Sequence, residues 1–476
     1  MRWTYIVSLL ARSISITALI LSIPLLILAS VPQELPKGEV IKAVVCKENS
    51  KQSYSLYIPT LYSPDKRWPV LYCFDPGARG ITPVERFKEA GEKYGWIIAG
   101  SNNSRNGPLD QTVMAAAAMA KDVQSRFAIN MSRVYAAGFS GGARAASSLA
   151  FLCKGCIVGV IACGAGLPAD TNPSANMPFV LFATIGIDDF NYPELKSLDQ
   201  ELDKYSVTHR VQVYEGGHEW ATTELCLEAV EWMEVQGMRI GSCDKDEKII
   251  ESLWQKSLNR AMQLEQSNNI LDAYSTYKAM LADFKQLREI AELEKKTATL
   301  KESKELKKAL KEEQQQFNKQ QEKIQQLITL KERLSDQLER PMAMSELKSE
   351  VGKLRKASTT NIDTGDRRIA RRTLRLFLIG LFESALFRYQ AEKKFAEAAL
   401  NLEIAAEIVP ENPQIYYELA AAYALNGEKK RAIETLKRAV EKGFKDLAAI
   451  NNNQAFELLR KEKAYQQIIE SLAPLP

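Results

Sequence analysis

The chain has 476 residues, of which 46% are hydrophobic and 26% are charged, and its formal net charge is +4. This composition excludes a wholly disordered chain and a membrane protein with many spans, and the length exceeds what one hydrophobic core organises. Charged residues make up about a fifth of 33–243 and about a third of 244–476, and neither part is basic enough to predict nucleic-acid binding.

Residues 1–32 carry the pattern of an export segment. Arg2 and Arg12 flank a short apolar stretch, and a longer apolar run follows at 14–31. Small residues then precede a polar stretch, which is typical of a cleaved signal peptide. The run is also long enough to span a bilayer, so an uncleaved N-terminal membrane anchor is the alternative. Both interpretations place the body of the protein outside the cytoplasm, periplasmic or secreted, with membrane contact only through this segment.

Apolar runs rich in valine and isoleucine alternate with amphipathic stretches between residues 33 and 243. The runs predict seven strands, at 54–58, 69–74, 96–100, 133–138, 157–163, 178–185 and 210–214. The stretches between them predict five helices, at 83–94, 109–127, 143–151, 195–205 and 222–236. This alternation indicates an α/β domain with a doubly wound sheet, in which functional sites gather at the carboxyl ends of the strands.

A G-x-S-x-G sequence lies between one predicted strand and the helix that follows it. It reads Gly138-Phe139-Ser140-Gly141-Gly142. Glycines permit a sharp turn that exposes the serine hydroxyl above the sheet, and a helix N-terminus favours developing negative charge. Because the motif lies between a predicted strand and a predicted helix, as such a nucleophile turn requires, we predict that Ser140 is a nucleophile.

The partners of this serine are predicted from the two strands that follow. Of the two histidines in the chain, His218 comes just after the last strand, whereas His209 precedes it and lies at the opposite edge. We therefore predict His218 as the general base. A carboxylate has to fix the tautomer of that imidazole. Asp189 and Asp188 both end the preceding strand, and Asp189 is the preferred candidate, with Asp188 as the second choice.

An oxyanion hole requires two hydrogen-bond donors. The first predicted donor is the backbone N–H of Gly141, directly after the nucleophile. The second is expected from the loop that follows the strand 69–74. Since Pro76 has no N–H, Gly77 or Ala78 is predicted to serve there.

Three further residues are candidates for substrate binding. Asn106 lies in a polar loop at the same predicted edge, Phe139 lies inside the serine motif, and Trp220 lies beside the predicted base. Trp220 fits equally well as a packing residue. No long insertion separates Cys163 from Pro178, so we expect an open site without a lid, suited to short or soluble esters.

Residues 35–240 resemble the α/β-hydrolase superfamily, in particular its exported esterase, dienelactone-hydrolase and polyhydroxybutyrate-depolymerase-like branch. The resemblance rests on 138–142, 186–189 and 217–220. It implies hydrolysis of small-molecule or polymer-derived carboxylic esters through an acyl-serine intermediate, without a metal or cofactor. It places the catalytic triad on Ser140, Asp189 and His218. The loop at 75–80 reads Asp-Pro-Gly-Ala-Arg-Gly, where many relatives have a His-Gly pair.

Seven cysteines occur, so at least one has no partner within the chain. Cys153 and Cys156 form a C-x-x-C pair. The pair follows a predicted helix instead of opening one, and so lacks the helix dipole that activates a redox thiol. We predict a structural disulfide or two buried thiols.

Residues 244–476 have a helical period with few breakers. We expect a degenerate helical repeat at 244–284, a long charged helix or coiled coil at 285–358, and tetratricopeptide-like helical repeats at 359–476. One apolar stripe in the charged segment consists of Ile324, Leu327, Leu330, Leu334 and Leu338. Its heptads are irregular, so a solvated helix packed on its neighbours is an equal alternative.

A repeat with a period of 34 residues supports the last of these assignments. Tyr389, Ala398, Leu402 and Ala405 recur as Tyr423, Ala432, Leu436 and Ala439. Residues 379–446 resemble the tetratricopeptide repeat, and 251–284 resemble it more weakly. The resemblance implies binding of a protein partner or self-association, whereas simple packing on the hydrolase-like part is the alternative.

The sequence therefore predicts an exported serine hydrolase acting on esters, guided by a helical-repeat domain. Two other functions stay open at this point. The first is a scaffold protein whose hydrolase-like part is catalytically vestigial, and the second is a serine peptidase on the same fold.

Overall fold

Eight strands form one mixed sheet in the computed structural model, which describes residues 35–168 and 171–472. The predicted export segment at 1–32 lies outside the described residues. The strands are β1 Val40–Cys46, β2 Asn49–Tyr57, β3 Trp68–Phe74, β4 Ile97–Ser101, β5 Ile129–Phe139, β6 Gly159–Cys163, β7 Val180–Gly186 and β8 His209–Tyr214. The helices among them are α1 Ile81–Tyr94, α2 Leu109–Arg126, α3 Gly141–Leu152, α4 Tyr192–Lys204 and α5 Thr223–Arg239.

The strand order in the sheet is β1-β2-β4-β3-β5-β6-β7-β8. The pairs β1·β2 and β2·β4 are antiparallel, and all pairs from β4 to β8 are parallel. Every residue of β3, β4 and β6 is buried, as expected for strands that helices cover on both faces. The predicted α/β-hydrolase sheet is thus confirmed, and the carboxyl ends of β5, β7 and β8 lie at one edge.

The first strand is the one element of this sheet that the sequence did not predict. β1 is an edge strand in which only Val44 and Cys46 are buried. Six of its seven residues, Val-Ile-Lys-Ala-Val-Val-Cys, are hydrophobic, so the sequence lacks the strict alternation of apolar and polar residues that marks a half-exposed strand. Its pairing with β2 closes the sheet at the side away from the predicted site.

Cys153 and Cys156 form a disulfide directly after α3, which is one of the two predicted alternatives. Four other cysteines are buried thiols, and Cys243 is a half-buried one. Within residues 35–168 and 171–472, no helix combines the length and the apolar composition that a membrane crossing needs.

The rest of the described chain is helical. The helices are α6 Glu247–Gln266, α7 Ile270–Phe284, α8 Ala291–Lys301, α9 Lys304–Arg333, α10 Arg340–Ser358, α11 Gly365–Gln390, α12 Phe395–Ile408, α13 Pro413–Leu425, α14 Lys429–Glu441, α15 Leu447–Asn452 and α16 Lys463–Leu472, with a 3₁₀ helix at Gln454–Leu459. The charged segment thus contains three helices, of which α9 is the longest. Leu327, Leu330 and Leu334 of the predicted stripe pack against α10 and α11. Leu338 is 92% exposed because α9 has already ended before it.

Several contacts, including the ion pair of Lys196 with Glu313, fix the helical part to the α/β part, and two of them involve buried side chains. At the first, the buried carboxylate of Asp283 on α7 accepts hydrogen bonds of 2.8 Å from Trp232 Nε1 and from Gln236 Nε2 on α5. Arg210 on β8 pairs with the same carboxylate. At the second, α11 lies against the loop that follows β7. That loop also carries the predicted catalytic acid.

Candidate active site

The serine of the G-x-S-x-G sequence lies in a sharp turn between β5 and α3. Ser140 has φ 53° and ψ −121°, a conformation that non-glycine residues adopt only under constraint. Its N–H donates to the carbonyl of Cys163 at 2.8 Å, which holds the turn on β6. A Cβ on Gly142 would lie 2.0 Å from the main-chain oxygen of Phe74, so only glycine lets α3 approach the sheet this closely. The turn therefore presents the Ser140 hydroxyl at the carboxyl edge of the sheet.

The structure brings the three predicted catalytic side chains together. His218 Nε2 lies 2.9 Å from Ser140 Oγ, and His218 Nδ1 lies 3.0 and 2.9 Å from the two carboxylate oxygens of Asp189. Asp189 is fully buried and also accepts a hydrogen bond of 2.8 Å from the N–H of Asn191. A buried carboxylate on Nδ1 favours the tautomer that leaves Nε2 as the acceptor. The geometry is that of a serine activated by an adjacent base.

The second-choice acid lies elsewhere. Asp188 Oδ2 accepts a hydrogen bond of 2.7 Å from Arg371 on α11, and its side chain makes no bond with His218. Successive residues of an extended or turning chain point in different directions, which is why the two acids have different partners. Asp188 joins the loop to the helical part.

The predicted second oxyanion donor is not free in this arrangement. The N–H of Gly77 donates to the carboxylate of Asp75 at 2.8 Å, and the N–H of Ala78 donates to the Asp75 carbonyl at 3.1 Å. Both predicted groups are therefore used within their own loop. The N–H of Gly141, by contrast, has no hydrogen-bond partner among the described residues.

Asp75, which was not among the predicted site residues, organises this loop. Its carboxylate is fully buried and accepts from Arg79 Nε at 2.9 Å and from Trp220 Nε1 at 2.8 Å. Burial raises the pKa of Asp75, but the hydrogen bonds from Arg79, Trp220 and Gly77 outweigh it, so the pKa lies below its ordinary value. The loop after β3 is thereby tied to the segment that carries His218.

The three predicted substrate-binding residues differ in position. Phe139 and Trp220 are buried at 8% and 5% exposure, and Phe139 contacts both the His218 ring and Trp220. This packing agrees with the structural alternative for Trp220, and the role of both residues as substrate contacts stays a prediction. Asn106 is exposed and lies over Gly141, where its Oδ1 would be 1.9 Å from a Cβ on that glycine. Asn106 therefore borders the space next to the nucleophile.

A helix from the distant helical part borders the other side of the site. Arg375, Leu378 and Ile379 on α11 line an open pocket of about 470 Å³ together with His218 and Phe190. The Phe190 ring lies 4.2 Å from the His218 ring. The pocket is open to solvent. However, α11 forms a wall of it that the sequence did not reveal, because no local pattern tells which of many amphipathic helices contacts the sheet.

Residues 389–455 match the family model of the tetratricopeptide repeat, which confirms the predicted repeat there. No curated protein matches the chain. The additional unit predicted at 251–284 stays a prediction.

Similar solved structures include three hydrolases. A ferulic acid esterase is 17% identical, with a TM-score of 0.33, over 40% of this chain and 97% of that one. A variant of the feruloyl esterase module from Clostridium thermocellum is 13% identical, with a TM-score of 0.32, over 40% and 86%. The S-formylglutathione hydrolase from Staphylococcus aureus is 13% identical, with a TM-score of 0.32, over 38% and 90%.

Three features are those of the α/β-hydrolase fold. They are the order of the strands in the sheet, the strained serine turn after β5, and an acid after β7 with a histidine after β8. The chain thus joins an α/β-hydrolase fold to a helical part that contains a tetratricopeptide repeat.

Proposed function

We propose that the protein is a serine hydrolase that cleaves carboxylic esters through an acyl-serine intermediate. The observation that carries the proposal is the chain of contacts from Ser140 Oγ through His218 to Asp189, with no joining distance above 3.0 Å. It combines a nucleophile, a base and an orienting acid at the edge of the sheet where this fold places its sites.

In the first half-reaction, Ser140 Oγ attacks the ester carbonyl carbon while His218 Nε2 takes the hydroxyl proton. The carbonyl oxygen becomes an oxyanion, and the N–H of Gly141 is positioned to donate to it. Collapse of the tetrahedral intermediate breaks the bond to the alcohol oxygen. His218 gives its proton to that oxygen, and the alcohol leaves an acyl-serine behind.

In the second half-reaction, water takes the place of the alcohol. His218 removes a proton from the water as its oxygen attacks the acyl carbon. The intermediate then collapses with cleavage of the bond to Ser140 Oγ, which regains the proton from His218. The products are a carboxylic acid and the free enzyme, so atoms and protons balance over the cycle.

The test compares wild-type protein with Ser140→Ala on p-nitrophenyl butyrate. We expect a loss of at least about 10³-fold in kcat, because the nucleophile is removed. Ser148→Ala is the matched control, since this serine lies two turns along the same helix and donates only to the carbonyl of Arg144. Equal activity in Ser140→Ala and wild type would remove Ser140 from the mechanism. Cleavage of peptide anilides but not of esters would show that the protein is a peptidase and not an ester hydrolase.

The proposal includes export of the folded chain. It is supported by the signal-like composition of residues 1–32 and by the Cys153–Cys156 disulfide, which belongs in an oxidising compartment. Fractionation of expressing cells, with N-terminal sequencing of the product, tests it. Retention of the protein in the cytoplasm would contradict export.

The proposal also assigns the repeat at 389–455 to protein contact, either with a partner or with a second copy. It is supported by the family match and by an open groove of about 330 Å³ between α10, α12, α13 and α14. Light scattering on the purified protein distinguishes the two cases, because self-association doubles the measured mass.

A further inference from the structure

Helix α11 is anchored on the loop that carries Asp189. Arg372 Nη1 donates to the carbonyl of Ile187 at 2.9 Å, and Arg371 Nη1 donates to the carboxylate of Asp188 at 2.7 Å. Arg368 on the same helix pairs with Glu215 at 3.3 Å, in the segment before His218. The helical part therefore reaches both loops that supply the acid and the base.

Among the described residues, Arg375 lacks the carboxylate partner that Arg368 and Arg371 have, and unlike Arg372 it is not buried. Its Nη1 donates to the carbonyl of Asp188 at 3.2 Å. Within the part of the chain that the structure describes, no carboxylate lies within ion-pair distance of it, whereas Arg368 and Arg371 are both paired. Arg375 is exposed to solvent. Most of the N–H donors of its guanidinium are thus available to a ligand.

The guanidinium lines the open pocket beside His218. Phe190, Leu378 and Ile379 give this pocket an apolar wall next to the charge. Glu219 also lines it, but its Oε1 accepts a hydrogen bond of 3.3 Å from the N–H of Gly217. A planar guanidinium with free donors binds carboxylates and other oxyanions in preference to neutral groups.

The position of the pocket indicates which part of an ester enters it. His218 has to return its proton to the oxygen of the leaving alcohol, so the alcohol part of the substrate lies on the histidine side of Ser140. The pocket lies on that side, because His218 itself is one of its walls. An acidic group on the alcohol part therefore comes near Arg375.

We propose that this pocket is a subsite for the alcohol part of esters whose alcohol carries a carboxylate, and that Arg375 binds this carboxylate. The inference rests on the proposed ester hydrolysis at Ser140. Arg375 is a specificity residue and takes no part in the bond-breaking steps. The helical part then contributes directly to substrate selection, in addition to any contact with a partner protein.

The test uses two esters that differ in one group, 4-carboxyphenyl butyrate and its neutral analogue 4-carbamoylphenyl butyrate. We expect wild-type kcat/KM to favour the carboxylate by about tenfold, mainly through a lower KM. Arg375→Gln should bring the ratio of the two kcat/KM values down about tenfold, whereas Arg375→Lys should keep part of the preference. The ratio cancels the intrinsic difference between the two leaving groups when variants are compared.

The matched control is Arg388→Gln, which removes the same charge from the same helix. Arg388 pairs with Glu392 and Glu397 near the end of α11 and does not line the pocket. It should leave the ratio unchanged. The wild-type preference should also shrink at 0.5 M salt, because the site is open to solvent.

The outcomes separate this inference from the proposed function. A ratio that stays the same in Arg375→Gln, with turnover that still requires Ser140, overturns the subsite alone. A preference for the charge only in the acyl part, tested with mono-4-nitrophenyl glutarate, also overturns it. No turnover of any of these esters overturns both the subsite and the proposed ester hydrolysis.

Discussion

Replacing Asp189 with asparagine tests the orientation of the base with little change in shape. The carboxylate of Asp189 accepts from His218 Nδ1 through both oxygens and from the N–H of Asn191 through one. An amide has only one oxygen, and the N–H of Asn191 holds that oxygen in place. The amide nitrogen then faces His218 Nδ1 as a donor, which drives the imidazole proton to Nε2.

An imidazole in that tautomer donates to Ser140 Oγ and has no lone pair to accept the serine proton. We therefore expect Asp189→Asn to lower kcat by about 10⁴-fold, which corresponds to about 5.5 kcal/mol of transition-state stabilisation. The assay is the initial rate on p-nitrophenyl butyrate, with circular dichroism to verify that the variant is folded.

Asp188→Asn is the matched control because it makes the same change one residue away. Asp188 bonds to Arg371 and not to the histidine, so its loss should lower kcat by less than about tenfold. The reasoning is refuted if Asp189→Asn keeps more than a tenth of the activity, or if Asp188→Asn loses as much as Asp189→Asn does.

Three further changes probe the rest of the structure. Gly142→Ala places a methyl group 2.0 Å from a main-chain oxygen of β3 and should lower the thermal midpoint by several degrees. Gly141→Ala meets only an exposed side chain and should lower the midpoint less. Equal midpoints of the two variants would contradict the close approach of α3. Arg372→Met removes the buried guanidinium that donates to the carbonyl of Ile187, in the loop that carries Asp189. It should lower kcat about tenfold with little change in KM. An unchanged kcat would show that α11 does not position this loop. Burial lowers the pKa of His209, but the hydrogen bonds with Asp199 and Val207 and the charges of Asp199 and Asp203 together outweigh burial and raise the pKa. This stabilisation is therefore complete below about pH 6.5 and is lost as the pH rises through the raised pKa. Urea midpoints of wild type and His209→Gln should differ more at pH 5.5 than at pH 8.5, and the reverse order would contradict the assignment.

The α/β part was predictable because several of its strands are continuous apolar runs. Residues buried on both faces of a sheet have to be hydrophobic, and β3, β4 and β6 have no exposed position. The edge strand β1 was missed although six of its seven residues are hydrophobic; most of its side chains contact water, and its sequence has no strict alternation of apolar and polar residues. The repeat was predictable from its small residues, because Ala398 and Ala432 are fully buried, as expected where paired helices pack closely.

The candidate site was predictable only where it is local in sequence. The serine turn carries a motif, and the histidine and acid follow from chain order along parallel strands. The role of α11 was not predictable, because Arg371 and Asp188 are 183 residues apart and neither segment has a sequence pattern that indicates the contact. For a similar reason, no local pattern showed that the buried carboxylate of Asp75 accepts from the N–H of Gly77, one of the two groups predicted as the second oxyanion donor, and that donor stays a prediction.

The most direct test of the central claim is the covalent labelling of Ser140 by a fluorophosphonate probe, located by mass spectrometry of the digested protein. We expect the label on the peptide that contains Ser140 in the wild type, labelling at least about 10³-fold slower in His218→Ala, and no label in Ser140→Ala. Absence of labelling in the folded wild-type protein, or labelling that persists in Ser140→Ala, would contradict the assignment of this serine, histidine and aspartate as an active site.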